Sequence, residues 1–159
     1  LKENNRNVSL SSNLKSIPYG FDGIIYEKIY SNLEVMDIKI DNSINMDIFN
    51  FLKPRRYNVF VEKMVIALDN AIEASLNSEE KVLVVNLYRE ENNVIVEIRN
   101  TFANNVDLDG IGNIGYSSKG NKRGLGLFSI LRNNEASVEV KIHNNLFISK
   151  VSAKRNLGK

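Results

Sequence analysis

The chain has 159 residues, of which 43% are hydrophobic and 25% are charged, a composition that suits one ordinary globular domain with a sizeable core. Its formal net charge of +2 is too small to indicate a protein that binds nucleic acid or an anionic membrane. The absence of Cys excludes disulfides and thiolate–metal sites and suits a cytosolic compartment, and the single His excludes a multi-histidine metal site.

The amino-terminal part of the chain predicts a linker, then a helix, then a strand. Residues 1–15 are polar and rich in Asn and Ser, which is typical of a linker or a frayed end. Apolar residues at helical spacing follow Ser16, with Pro18 near the start of the predicted helix. These apolar residues are Ile17, Phe21, Ile24, Ile25 and Ile29. The alternation of apolar and charged residues over 36–41 predicts a half-buried strand.

The segment from about Asn58 to Leu76 carries the clearest helical pattern of the sequence. At 100° per residue, one stripe of this helix is mostly apolar. The stripe consists of Val61, Met64, Val65, Leu68, Ala71, Ile72 and Ser75. The same helical wheel places Ile66, Asn70, Glu73 and Asn77 together on the opposite side.

The second half of the sequence predicts two hairpins on either side of a long loop. Residues 101–123 are rich in Gly, Asn and Asp and have little regular pattern; loops of this length are usually functional lids or disordered. The other predicted elements are strands over 82–88, 94–99, 137–142 and 146–151, and a short helix over 125–131. The order of elements, with mostly antiparallel neighbouring strands, predicts an α+β two-layer sandwich.

The densest chemical signal is the glycine-rich basic stretch from Lys119 to Leu127, KGNKRGLGL. Its glycines let a backbone approach a ligand, its cations supply positive charge, and a predicted helix begins just beyond it. Backbone N–H groups at a helix start together with cations form an anion site that suits phosphates. A flexible basic loop fits the same residues, because isolated glycine motifs match widely. The spacing is neither that of a P-loop nor that of a dinucleotide fingerprint.

The second signal is the pair Asn70 and Glu73 on the side of the predicted helix that faces away from the apolar stripe. Both side chains offer oxygen atoms, and hydrated Mg²⁺ is a hard cation that prefers oxygen ligands. A solvated helix face without any ligand explains the same two residues.

Together the stretches ALDNAIEAS, at 67–75, and GYSSKGNKRGLGL, at 115–127, resemble the catalytic domain of sensor histidine kinases, most closely the AgrC-type quorum-sensing branch of the GHKL group. The resemblance implies a GHKL (Bergerat) α/β sandwich: a mixed, mostly antiparallel sheet has helices on one face, and ATP lies between a helix and a long lid. Residues 1–32 would then be a linker and connecting helix from a missing dimerisation region, and residues 33–159 the ATP-binding catalytic domain.

The same resemblance implies roles for individual residues. Asn70 is the catalytic residue that ligates the Mg²⁺ bridging the ATP phosphates. Asn100 stands where many histidine kinases carry an Asp that holds the adenine amino group, and it offers a neutral amide oxygen instead. The sequence Asp109-Gly-Ile-Gly112 imitates the motif of that Asp but lies too late in the chain. The lid is residues 101–118, and the other implied nucleotide contacts are Lys119, Gly120, Arg123, Gly124, Leu125 and Gly126.

A histidine kinase of this type transfers the γ-phosphate of Mg·ATP to a histidine on a separate dimerisation domain of the same parent protein. We expect a homodimeric parent that is a membrane-anchored sensor with this domain in the cytoplasm, and a response regulator downstream. Because the chain opens on Leu1 instead of Met, we expect it to be a fragment. His143 lacks the helical context of a phosphoacceptor and is expected to be a surface turn residue.

Three alternative functions remain open from the sequence. In GHKL ATPases a glutamate one helical turn before the magnesium-binding asparagine activates water, and here that position is Ile66, which cannot act as a general base. This favours phosphotransfer over a GHKL ATPase. An anti-sigma-type serine kinase and an inactive nucleotide-binding or interaction module fit the same motifs.

Overall fold

The structure is a computed structural model, and it describes residues 21–44, 51–103 and 135–155. Two helices, a short 3₁₀ turn and five strands make up this part of the chain. In chain order they are helix α1 (Phe21–Ile29), the 3₁₀ turn (Tyr30–Asn32), strand β1 (Asp37–Asn42), helix α2 (Pro54–Leu76), and strands β2 (Val82–Glu90), β3 (Asn93–Asn100), β4 (Ser137–His143) and β5 (Leu146–Lys154).

Helix α1 and strand β1 confirm a helix and a strand in this part of the chain, and the predicted start of the helix at 16–18 lies outside the described residues. Ile25 and Ile29 of α1 are fully buried, and Ile38 and Ile40 of β1 are buried between exposed neighbours. These four side chains belong to the same hydrophobic core as α2 and the sheet, so α1 packs on the sandwich. A part-exposed ion pair of 3.2 Å between Lys28 Nζ and an Asp69 carboxylate oxygen also joins α1 to α2.

The five strands form one sheet in the order β1-β2-β3-β5-β4. β1 runs parallel to β2, and the other three neighbouring pairs are antiparallel, so the mixed, mostly antiparallel sheet is confirmed. The two hairpins turn at Glu91 and at Asn144–Asn145, whose φ angles are 55°, 51° and 64°. Asn tolerates this left-handed region better than most residues, which explains the predicted turn at Asn144–Asn145.

Helix α2 begins four residues earlier than the periodicity predicts. Lys53 is extended, with φ −63° and ψ 154°, and Pro54 occupies the first turn. Proline suits that position because the first N–H groups of a helix have no partner within it, so the missing N–H of Pro54 costs nothing there. The helix therefore has 23 residues, and it packs against β2, β3 and β5.

The buried face of α2 differs in part from the predicted stripe. Met64, Leu68, Ala71, Ile72 and Ser75 are buried as expected, but Val61 and Val65 are only partly buried at the edge of the core. The remaining buried residues of the helix are Tyr57, Phe60, Lys63 and Ala67. The sheet thus lies under a face that is rotated towards Phe60 and Ala67, and the two valines pack against the edge of the core.

Among residues 21–44, 51–103 and 135–155, the helices lack an apolar stretch of the length that a membrane span requires. The short helix expected over 125–131 and most of the expected lid lie outside the described residues.

Candidate functional site

The carboxyl end of α2 is tied to the end of β3 by three side-chain hydroxyls, those of Ser75, Ser78 and Thr101, which we call the hydroxyl cluster. Thr101 Oγ1 lies 2.9 Å from Ser75 Oγ and 3.0 Å from Ser78 Oγ. It also accepts a 3.0 Å hydrogen bond from the Val82 N–H, and the Thr101 N–H donates to the Val82 carbonyl at 3.1 Å. All three residues of the cluster are buried, so these bonds fix the end of the helix against the sheet.

Asn100 is the last residue of β3 and lies on the face of the sheet that α2 covers, in alternation with Val94, Val96 and Ile98. Its side chain is 1% exposed. Asn100 Nδ2 donates a 2.9 Å hydrogen bond to the Thr101 carbonyl oxygen. Asn100 Oδ1 is buried and accepts no hydrogen bond from the described residues. A buried acceptor without a donor costs about 1–3 kcal/mol, so this oxygen fits a donor supplied by a ligand, such as an adenine amino group.

Asn70 lies on α2, off the buried face, and its side chain is half-buried, as is that of Glu73. It precedes Ser75 by five residues, which corresponds to about 7.5 Å along the helix axis. The amide oxygen of Asn70 and the carboxylate oxygens of Glu73 are ligands of the kind that Mg²⁺ prefers. These two side chains therefore fit the expected metal.

A second set of contacts ties the amino half of α2 to the residues that lead into β4. The Lys63 ammonium group donates to the Ala136 carbonyl oxygen, and the Arg56 guanidinium lies 3.0 Å from a Glu135 carboxylate oxygen. The twelve residues from Lys63 to Ser75 correspond to about 18 Å of helix. The Lys63–Ala136 contact and the hydroxyl cluster thus lie at opposite ends of this stretch of α2, and Asn70 lies between them.

Lys63 is a residue of this region that sequence reasoning missed. It lies two helical turns before Asn70 and is 3% exposed. Burial lowers the pKa of the Lys63 ammonium group, and the negative charge of Glu62 raises it to a lesser extent. No local pattern indicates that this lysine is buried, because its hydrogen-bond acceptor lies 73 residues further along the chain.

The structure brings Asn100 and the end of α2 together, but it leaves the predicted phosphate contacts untested. Lys119, Gly120, Arg123, Gly124, Leu125 and Gly126 lie outside the described residues. The expected lid over 101–118 cannot begin at its first residue, because Thr101 is fixed in the hydroxyl cluster. Ile66 is half-buried on α2, and His143 is exposed beside the β4–β5 turn, as expected.

A cavity of about 420 Å³ lies away from this site, against strands β1, β2 and β3. Asn86, Tyr88, Glu97 and Arg99 line it and alternate along their strands with the core residues, so the cavity opens on the face that α2 does not cover. Glu97 and Arg99 pair with each other at 3.0 Å. Neither Asn70 nor Asn100 lines this cavity, and it is not the candidate nucleotide site.

The described residues form an α+β fold that matches the catalytic domains of histidine kinases, and the comparison with protein families agrees. The model of the GHKL domain family matches residues 59–154, which is more than half of the chain. The chain belongs to the GHKL domain family. No curated protein matches the sequence as a relative.

Solved histidine kinase structures share the fold at low sequence identity. The nucleotide-free catalytic domain of histidine kinase ThkA is 13% identical with a TM-score of 0.62, over 85% of this chain and 91% of that chain. Histidine kinase AdeS of Acinetobacter baumannii is 13% identical with a TM-score of 0.54, over 86% and 66%. ThkA in complex with the response regulator TrrA is 10% identical with a TM-score of 0.59, over 88% and 41%. At such identities the likeness shows the fold alone.

Proposed function

We propose that this chain is the catalytic domain of a bacterial two-component sensor histidine kinase, which binds Mg·ATP and transfers the γ-phosphoryl group to a histidine on a separate dimerisation domain. The observation that carries the proposal is the position of Asn70 on α2 of a GHKL domain, between the Lys63–Ala136 contact and the hydroxyl cluster. Asn100 adds a buried acceptor at the carboxyl end of the same helix.

The proposed roles follow from the chemistry of each side chain. Asn100 Oδ1 accepts a hydrogen bond from the adenine amino group, and the Asn70 amide oxygen holds Mg²⁺ beside the phosphates. When bound there, Mg²⁺ would supply charge neutralisation at the phosphate oxygens. Lys119 and Arg123, with backbone amides from Gly120 and from 124–126, contact the phosphates.

In the transfer itself, a nitrogen of the acceptor histidine forms a bond to the γ-phosphorus while the bond from that phosphorus to the β–γ bridging oxygen breaks. ADP leaves with that oxygen and its electron pair. The domain contributes position and charge neutralisation and needs no covalent intermediate of its own.

The finer assignment to the AgrC-like quorum-sensing branch rests on the sequence resemblance at 67–75 and 115–127 and on Asn100. The same proposal takes residues 1–32 as the linker and connecting helix and residues 33–159 as the catalytic domain, with α1 of the connecting region packed on the core of that domain. It also includes a homodimeric parent that is a membrane-anchored sensor with this domain in the cytoplasm. The crystallisation of ThkA with a response regulator supports a partner of that kind here.

The test compares Asn70→Ala with the matched control Asn92→Ala, which removes the same side chain at the exposed β2–β3 turn. Titration calorimetry measures Mg·ATP binding, and phosphotransfer is measured to a separately made acceptor domain of the parent protein. We expect Asn70→Ala to lower phosphotransfer by at least about tenfold, as the loss of a metal contact does, and Asn92→Ala to match the wild type. Equal transfer by both variants would refute the role of Asn70.

The same assays separate the alternatives. Release of inorganic phosphate without label on the acceptor would indicate a GHKL ATPase, which the half-buried aliphatic side chain of Ile66 disfavours. Acid-stable label on a partner protein would indicate a serine kinase of the anti-sigma type. A wild-type chain that binds no nucleotide would be an interaction module.

A further inference from the structure

We propose that Thr101 is a positioning residue for Asn100. Thr101 is held by the two serines of the hydroxyl cluster, and it fixes the side-chain amide of Asn100 in the one orientation that selects adenine over guanine. This inference rests on the proposed function, because it assumes that a purine nucleotide binds at Asn100. Neither Thr101 nor the hydroxyl cluster stands out in the sequence.

A neutral amide needs such fixing, whereas a carboxylate does not. Both oxygens of an Asp accept hydrogen bonds, so its rotation leaves an acceptor in place. The two ends of an Asn side chain are nearly the same in shape but opposite in hydrogen bonding, so a rotation of 180° exchanges an acceptor for a donor. The 6-position of a purine carries an amino donor in adenine and an oxo acceptor in guanine. An unfixed Asn100 would accommodate both bases.

The Thr101 carbonyl oxygen supplies the fixing. In the observed orientation Asn100 Nδ2 donates to it at 2.9 Å, and Oδ1 is left as a buried acceptor. The rotated orientation would place Oδ1 beside that carbonyl, so two acceptors would face each other. Because the side chain is 1% exposed, water cannot relieve this repulsion.

The carbonyl can act in this way only because the Thr101 main chain is held. Thr101 Oγ1 bonds the Val82 N–H and contacts the Ser75 and Ser78 hydroxyls, and the Thr101 N–H donates to the Val82 carbonyl. The next residue, Phe102, packs edge-to-face on Phe147, with ring centroids 6.5 Å apart. The peptide that carries the carbonyl is thus bounded by contacts on both sides.

The geometry also distinguishes this chain from kinases that carry Asp at the same place. An Asp at position 100 would direct a carboxylate oxygen at the Thr101 carbonyl and would lose the donor that now bonds it. We therefore expect Asn100→Asp to weaken Mg·ATP binding here, although Asp is the residue that many histidine kinases use.

The experiment measures dissociation constants for Mg·ATP and Mg·GTP by titration calorimetry, using the wild type, Thr101→Val and Thr101→Ser. Valine matches threonine in shape but lacks the hydroxyl, and serine keeps the hydroxyl. We expect the wild type to bind Mg·ATP more tightly than Mg·GTP. In the valine variant the ratio of the two dissociation constants should fall at least about tenfold, and in the serine variant it should return to the wild-type value. Equal loss of both nucleotides, or an unchanged ratio in the valine variant, would overturn the proposal.

Two further measurements keep the test decisive. If Thr101→Val does not fold, Ser75→Ala removes one contact of the Thr101 hydroxyl from the helix side and is expected to lower the ATP preference in the same direction. Asn100→Asp is expected to bind Mg·ATP more weakly than the wild type; equal or tighter binding would contradict the fixed orientation. A wild type that binds neither nucleotide would refute the proposed function itself, whereas a wild type that binds both equally would refute only this inference.

Discussion

Lys63 offers the sharpest test of the energetics, because a buried ammonium group should make the stability of this domain depend on pH. Lys63 is 3% exposed and donates to the Ala136 carbonyl. The perturbation is Lys63→Met, which keeps a long unbranched side chain and removes the charge. Lys141→Met, on an exposed position of β4, controls for the loss of one positive charge.

The sign of the effect follows from the lowered pKa. Burial lowers the pKa of Lys63 below its ordinary value of 10.5, so just below pH 10.5 the unfolded chain binds more protons at this residue than the folded chain. The free energy of unfolding of the wild type therefore rises with pH in that window. The slope from one such group is at most about 1.4 kcal/mol per pH unit. The methionine variant lacks this contribution.

Urea unfolding followed by circular dichroism, in steps from about pH 8 to pH 10.5, measures the difference in free energy between the wild type and Lys63→Met. We expect this difference to change in favour of the wild type as pH rises. Burial raises the pKa of Tyr57 and of Tyr88, with the nearby Glu97 raising that of Tyr88 further, but both tyrosines are present in both proteins and their effects cancel. A difference that is constant over this range, or that moves in favour of the variant, would refute the reasoning.

Two other predictions concern the core and the only histidine. Leu68 is 1% exposed on the buried face of α2, so Leu68→Ala should lower the free energy of unfolding, measured in urea, by about 2–5 kcal/mol. Val65 lies at the edge of the core, so Val65→Ala should lower it by less. Equal losses from the two variants would contradict the position of the core described above. His143 is exposed beside a hairpin turn, so the isolated chain should acquire no acid-labile label from [γ-³²P]ATP, and His143→Ala should transfer phosphate to the acceptor domain as the wild type does. Stable label on His143 would contradict this.

Most of the regular structure could be predicted because the spacing of apolar residues along a strand or helix indicates which side chains are buried. Ile38 and Ile40 alternate with charged residues and are buried as the pattern indicates. The face of α2 that the sheet covers cannot be predicted from such local patterns, because it depends on residues far apart in the chain. Val61 and Val65 fit the apolar stripe, yet they lie at its edge, while Lys63 is buried because a carbonyl from a distant part of the chain accepts its hydrogen bond.

The candidate site shows the same division between what is local and what is not. Asn70 and Asn100 could be singled out from their motif and from the end of a strand, and both lie on elements that the sequence predicts. The orientation of the Asn100 amide could not be predicted, since it depends on the Thr101 carbonyl. Thr101 in turn is held by Ser75 and Ser78, which precede it by 26 and 23 residues.

The two attachments of α2 make a further prediction about how the site is coupled. Lys63 and the hydroxyl cluster are separated by about 18 Å along the helix, so the losses of stability from Lys63→Met and Thr101→Val should add in the nucleotide-free chain. If ATP binds along α2 between Lys63 and the hydroxyl cluster, the bound nucleotide couples these two attachments of the helix. The double variant should then deviate from additivity only when Mg·ATP is present, as measured by thermal unfolding with and without the nucleotide. Deviation without nucleotide would show that the two attachments communicate through the protein itself, and additivity in both conditions would mean that the ligand does not span them.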